Sequence, residues 1–192
     1  MTAPAQPELV PGRVYRTKDL ARWSANAPRL AQRLVRDGAL VPLAQGLFFH
    51  PKRSRFGVVP PRDEELMRGF LDGAPFVFTG PDHWNALGLG STAMHAVTTV
   101  YNTKRSGTFE LGGRRFVLRR VAFPEQPNPE WYVVDLLEHA EQAGASRADL
   151  TRALARAVAR RTFDGPRLRE MGARYGSKAT RALLDAVLGR NA

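Results

Sequence analysis

The sequence predicts an α+β fold: a small N-terminal helix-and-hairpin unit, then a mixed α/β domain that ends in a helical tail. Three observations predict it. Residues 13–50 read as a short helix, a turn, an amphipathic helix and a Gly-turned hairpin. Residues 57–122 alternate short β-rich runs with helical turns. From about residue 131, apolar residues recur at helical spacing. The expected domains are therefore residues 1–56 and 57–192.

Residues 1–12, rich in Pro and Gly, read as a loose leader. Thr17 can cap a short helix running to Trp23, with Asp19 in the first turn, where the helix dipole favours a negative charge. Ser24 to Asn26 then forms a turn. Asn26 is an N-cap residue, Pro28 suits the first helical turn and Gly38 is a natural stop, which bounds a second helix. At 100° per residue, Ala27, Leu30, Ala31, Leu34 and Val35 share one face of it, while Asn26, Arg29, Gln32, Arg33 and Arg36 share the other. Leu40 to Leu43 and Leu47 to Phe49 pair as a hairpin across Ala44, Gln45 and Gly46, with Pro42 confined to an edge strand. Helix, turn, helix, hairpin is the order of a winged helix-turn-helix.

Farther on, Asp63 to Leu71 is predicted as a helix after Pro60 and Pro61. Phe76 to Phe78 and Val97 to Tyr101 read as strands, and His83 to Leu87 as a helical turn. Thr108 to Leu111 and Arg115 to Val121 form a hairpin around Gly112 and Gly113. Helices follow at Val133 to Ala143, Arg147 to Arg161, Gly165 to Arg174 and Ser177 to Leu188.

Composition limits the function classes. The 192 residues carry 29 Lys and Arg against 18 Asp and Glu, a formal charge of +11, and no Cys. Disulfides and Cys-ligated zinc are excluded. No apolar run approaches the roughly 20 residues of a membrane span, and the first residues lack the pattern of a signal peptide, so the expectation is a cytoplasmic protein without a membrane partner. The charge is uneven: residues 1–56 hold ten Lys and Arg against three Asp and Glu, and residues 151–192 hold the same numbers, whereas residues 57–150 hold nine against twelve. Two cationic ends flanking a near-neutral middle point to a polyanion, nucleic acid first.

A helix that enters a major groove needs bidentate side chains on one face and apolar residues on the other. Asn26, Arg29, Gln32 and Arg33 are thus the candidate base readers. Arg13, Arg16, Lys18, Arg36, Lys52, Arg53 and Arg55 are candidates for phosphate contacts, which fix register without reading sequence. Gln45 and Gly46 form the candidate wing. Arg152, Arg156, Arg160, Arg174, Lys178 and Arg181 make a possible second basic patch. Catalysis finds little support. His50, His83, His95 and His139 are scattered without metal-ligand spacing, and Gly88-Leu89-Gly90-Ser91 lacks the Gly-Lys-Ser/Thr ending of a phosphate-binding loop. No enzyme, cofactor or metal is expected.

The stretches Val14-Tyr15-Arg16-Thr17-Lys18-Asp19-Leu20, Leu30-Ala31-Gln32-Arg33-Leu34-Val35 and Gly38 to Pro51 resemble the N-terminal winged helix of AbiEi-type antitoxins from bacterial type IV toxin-antitoxin systems. Phe48 departs from the family's usual Gly-Leu-Tyr-like ending. The resemblance continues through Lys52 to Gly57, Thr79 to Leu89 and the strand at Val97 to Tyr101, and covers residues 13–122. It implies an antitoxin and transcriptional autorepressor that binds double-stranded DNA at repeats in its own promoter. It also implies a protein that opposes a nucleotidyltransferase toxin without forming a stable complex with it, in systems tied to phage resistance by abortive infection. Two alternatives stay open: a winged-helix regulator with a ligand-sensing or dimerising C-terminal domain, and an RNA-binding protein that uses the basic C-terminal helices.

Overall fold

The computed structural model describes residues 7–91 and 97–189, so half of the expected leader, and His95, lie outside the described residues. Both helices and strands are present, as an α+β class requires. The contacts divide the chain into two units, one comprising Met1–Pro75 with Thr108–Arg115, the other Phe76–Gly107 with Phe116–Ala192.

In the first unit, β1 (Val14–Arg16) leads into a 3-10 helix (Thr17–Arg22), then α1 (Ala27–Arg36), β2 (Val41–Ala44) and β3 (Leu47–Phe49). The sheet order is β1-β3-β2, antiparallel throughout, which puts Pro42 on an edge strand, where its missing N–H breaks no ladder. Strand β1 was not expected; three residues are too few to show alternation. The 3-10 helix also differs from expectation at its start. Its cap is the Asp19 carboxylate, which accepts the Arg16 backbone N–H at 2.7 Å, and Thr17 lies within the helix.

Helix α1 begins where Asn26 Oδ1 accepts the Arg29 N–H at 3.1 Å, and Gly38 takes up a left-handed backbone (φ 71°) just past its end. Ala27, Leu30, Ala31 and Leu34 are buried with Tyr15, Leu20 and Leu40, and Val35 packs at the edge of this cluster. Burying Leu30 and Leu34 contributes about 1.5–3 kcal/mol each, enough to fix which side of the helix faces outward.

A second hairpin follows, β4 (Lys52–Ser54) with β5 (Gly57–Val59), then α2 (Asp63–Phe70). The sequence places a domain break after residue 56, yet the contacts keep residues 57–75 with the first unit. The reason lies in α2. It buries Leu66 and Met67, and its Glu65 carboxylate accepts the Val14 backbone N–H at 3.1 Å. Residues 108–115 join the same unit: Arg114 is ion-paired with Asp63 and donates to the Pro61 carbonyl at 2.6 Å, and Phe109 stacks edge-on against Phe70.

The second unit contains β6 (Phe76–Thr79), α3 (Pro81–Ala86), β7 (Thr98–Asn102), β8 (Gly107–Leu111), β9 (Arg114–Arg120), α4 (Pro129–Glu138), α5 (Arg147–Ala159), α6 (Gly165–Tyr175) and α7 (Lys178–Gly189), although most of β8 and the start of β9 count with the first unit by contact. Strand β7 pairs antiparallel with β6 and parallel with β9. The stretch Gly88–Ser91 is a loop after α3, and its Ser91 hydroxyl donates to the Ala143 carbonyl at 3.3 Å. Helix α4 is central. Trp131, Val133, Val134, Leu136 and Leu137 are all buried, so it is apolar around most of its circumference. Its two buried carboxylates are accounted for: Glu130 accepts the Asp164 N–H at 3.0 Å, and Asp135 belongs to a cluster described below. Side-chain caps on Asn128, Ser146 and Asp164 start α4, α5 and α6. Among the described residues, no helix is long and apolar enough to cross a membrane.

Gly69 sits in α2 against β1. A Cβ there would lie 2.9 Å from the Val14 Cβ and closer still to its Cγ1, on a buried β-branched residue of a paired strand. Ala gains up to about 1 kcal/mol in helix propensity over Gly, but overpacking costs about 1–3 kcal/mol. Gly69→Ala is therefore expected to lower stability by about 1–2 kcal/mol, read as a lower urea midpoint.

Candidate nucleic-acid interface

Four side chains expected to read bases, Asn26, Arg29, Gln32 and Arg33, are all exposed on α1, as is Arg36 in its last turn. Among the described residues none of Arg29, Arg33 and Arg36 forms an ion pair. The four are not equivalent. Asn26 spends its carbonyl oxygen on the helix cap, which leaves only its amide N–H groups to donate. Arg33 stands at the rim of a cleft of about 660 Å³ that is also bordered by Glu8 and Asp37. Arg29 and Gln32 carry no such constraint.

The candidate phosphate contacts separate into two groups. Arg13 is exposed, with its guanidinium 5.5 Å from the Tyr15 ring centroid, and Lys52, Arg53 and Arg55 lie on the open β4–β5 hairpin. Arg16 and Lys18 are tied to Asp72, at 3.0 and 2.6 Å. The Lys18 hydrogen bond, with help from Arg16, lowers the Asp72 carboxyl to about 2, so both cations face a carboxylate that stays charged through the ordinary pH range. Sequence reasoning also passed over Arg22. Exposed at the end of the 3-10 helix, it stacks 3.7 Å over the Trp23 ring, one turn before α1 begins. The adjacent Arg22-Trp23 pair was the available signal.

The candidate wing is short and occupied. Gln45 is exposed and Gly46 adopts φ 70°, but the Gly46 carbonyl accepts the Thr17 N–H at 3.0 Å and the Leu43 carbonyl accepts the Gly112 N–H at 3.0 Å. The β4–β5 hairpin, by contrast, is exposed along both strands.

In the second unit the possible basic patch is partly neutralised within its own helices. Arg152 pairs with Asp149, and Arg174 with Glu170 at 3.2 Å, while Arg156, Arg160, Lys178 and Arg181 are exposed. Exposed pairs of this kind limit the patch's field more than they stabilise the helices.

No family model matches the chain, and no curated protein is significantly similar to it.

The second unit also assembles a polar cluster that the sequence did not reveal. The buried Asp135 carboxylate accepts hydrogen bonds from Thr79, from Trp84 Nε1 at 2.8 Å and from the Tyr101 hydroxyl at 2.7 Å. His139, one turn on, places Nδ1 2.8 Å from the Asp135 carbonyl and 3.4 Å from its carboxylate, and its ring stacks on Trp84. Arg119 Nη1 lies 3.1 Å from His139 Nε2 beside a cavity of about 220 Å³. Burial alone would raise the Asp135 carboxyl, but the hydrogen bonds from His139, Thr79 and Tyr101 outweigh it and hold it below the usual range. For His139 burial disfavours the charged ring, but the bond and charge of Asp135 prevail and raise it above 6.5. Among the described residues no buried side-chain nitrogen or oxygen lacks a partner, and no three His, Asp or Glu side chains converge on a metal site. With every Asp135 oxygen engaged, the cluster locks α4 to β6, β7 and α3.

Two outcomes are expected. Asp135→Ala strands three buried donors and should cost about 3 kcal/mol or more in urea unfolding. Because the folded state raises the His139 pKa, the stability this ring contributes is fully present below about pH 6.5 and is lost as pH rises through the higher folded value. His139→Gln should therefore cost more at about pH 5.5 than at about pH 9, and the imidazole pKa followed by NMR should fall in Asp135→Asn.

Proposed function

We propose that this chain is a DNA-binding regulator whose first unit is a winged helix with α1 as the recognition helix. The observation that carries the proposal is the two-sidedness of α1: one face is buried against Tyr15, Leu20 and Leu40, and Arg29, Gln32, Arg33 and Arg36 stand exposed on the other. The β1-β3-β2 sheet, with two helical segments between β1 and β2, supports the same reading. A helix of this kind lies in a major groove, where Arg and Gln make bidentate contacts to base edges. Arg13, Arg22, Arg36, Lys52, Arg53 and Arg55 then hold phosphates, and Arg16 and Lys18 join them only by leaving Asp72.

The AbiEi-type resemblance extends this to a specific role. The chain would act in the cytoplasm as a type IV antitoxin that represses its own promoter, through inverted repeats in double-stranded DNA, and opposes a nucleotidyltransferase toxin without a stable complex. It would work by binding rather than by catalysis. Rescue of cells from a toxin encoded beside it tests that role directly; failure to rescue while promoter binding persists would leave an ordinary repressor.

Gel-shift titration against promoter and random duplexes tests the DNA reading. Arg33→Ala should weaken promoter binding by about 1–3 kcal/mol and flatten base preference, whereas Lys52→Ala should weaken all duplexes alike and reduce the salt slope by about 1. Equal losses on both duplexes for Arg33→Ala would remove its base-reading role.

Asp72 supplies an opposite test. Its backbone is left-handed (φ 58°), which Asn also tolerates. Asp72→Asn should free Arg16 and Lys18, tightening binding to random duplex and steepening its salt dependence.

A further inference from the structure

The β4–β5 hairpin is an open ribbon. Lys52 opposes Val59, Arg53 opposes Val58 and Ser54 opposes Gly57, and every one of these residues is exposed. A two-stranded hairpin without a covered face is marginal in water, so these side chains are not there to build a core. At the tip Phe56 is 85% exposed, with Val58 at 56% and Val59 at 40% behind it. The turn is ordered by Ser54, whose hydroxyl accepts the Phe56 N–H at 3.2 Å and donates to the Gly57 carbonyl at 3.2 Å, with Gly57 at φ 110°. The Arg55 guanidinium lies 4.6 Å from the Phe56 ring centroid. From Gly38 to Arg62 the sequence contains no Asp or Glu, while Lys52, Arg53, Arg55 and Arg62 fall within that span.

An exposed Phe leaves about 1.5–3 kcal/mol of burial unused. A ring set among cations suits a partner that offers negative charge and a flat apolar surface together. Bases strung on a phosphate backbone offer both. An anionic membrane offers the charge, but one Phe and two Val bury less hydrocarbon than a single myristoyl chain, whose own anchoring is marginal.

We propose that Phe56 is a base-stacking contact to nucleic acid, carried on the cationic β4–β5 ribbon, with Lys52, Arg53 and Arg55 holding the flanking phosphates. The contact presupposes the DNA-binding reading of the first unit and adds to it. Helix α1 meets base edges, which encode sequence, whereas a ring wedged at an opened base step meets a base face, a contact any base can make once it is unstacked from its neighbour. The Arg55 stack occupies the ring in the free protein, and a base takes that place when the guanidinium turns to a phosphate.

The test uses the full chain and a duplex selected from a randomised pool, with 2-aminopurine substituted at successive positions. Wild type should change the fluorescence at one position on binding. Phe56→Ala should lose that change and bind roughly tenfold more weakly. Phe56→Tyr should keep both, and Phe56→Leu, apolar but not aromatic, should behave like Phe56→Ala. Since Phe56 is an exposed tip residue, circular dichroism should show all three variants folded. Binding by Phe56→Ala or Phe56→Leu equal to wild type overturns the stacking contact and leaves the α1 reading standing. Phe56-dependent binding to acidic-lipid vesicles with unchanged duplex binding overturns it in the same way. No duplex binding by wild type overturns both.

Discussion

The apolar stripe of α1 is the constraint on which the first unit depends. Ala27, Leu30, Ala31 and Leu34 have one place to go, against Tyr15, Leu20 and Leu40, and that burial sets the rotation of the helix about its axis. The outward position of Arg29, Gln32, Arg33 and Arg36 is its geometric remainder. Nothing on the exposed face needs to hold it there.

Formal charge overstates what the surface offers. Asp72 restrains Arg16 and Lys18, Asp63 holds Arg114, and Asp149 and Glu170 restrain Arg152 and Arg174. Among the described residues, α1 and the β4–β5 ribbon of the first unit keep six cations clear of any ion pair, and the tail helices keep Arg156, Arg160, Lys178 and Arg181 exposed. Net charge is a property of composition, whereas the available field depends on how the fold pairs it.

Much of the fold was legible because its punctuation is local. Asn26, Pro28 and Gly38 mark the ends of α1, and Gly46 and the Gly112-Gly113 pair mark turns, whereas α4, expected at Val133 to Ala143, runs from Pro129 to Glu138 because its Asn128 cap went unread. The β4–β5 hairpin escaped because Lys-Arg-Ser is a poor strand signal and its turn is built on Arg55 and Phe56 with Ser54 bracing it. The Asp135 cluster escaped for a different reason. Its partners Thr79, Trp84 and Tyr101 lie 56, 51 and 34 residues away, and only the folded path of the chain brings them to one carboxylate. The Asp72 restraint on Lys18 spans 54 residues and was equally invisible, so sequence could nominate candidate cations but could not say which were already engaged.

The first unit borrows Thr108–Arg115 from the middle of the second unit's sequence. A nascent chain that has emerged only as far as Pro75 therefore lacks Leu111 and the Arg114 that clasps Asp63. Helix α1 can form early on the ribosome, but its supporting unit is complete only after Arg115 has been synthesised. The two units must then mature as interleaved parts of one polypeptide, and no single cleavage can release either of them whole.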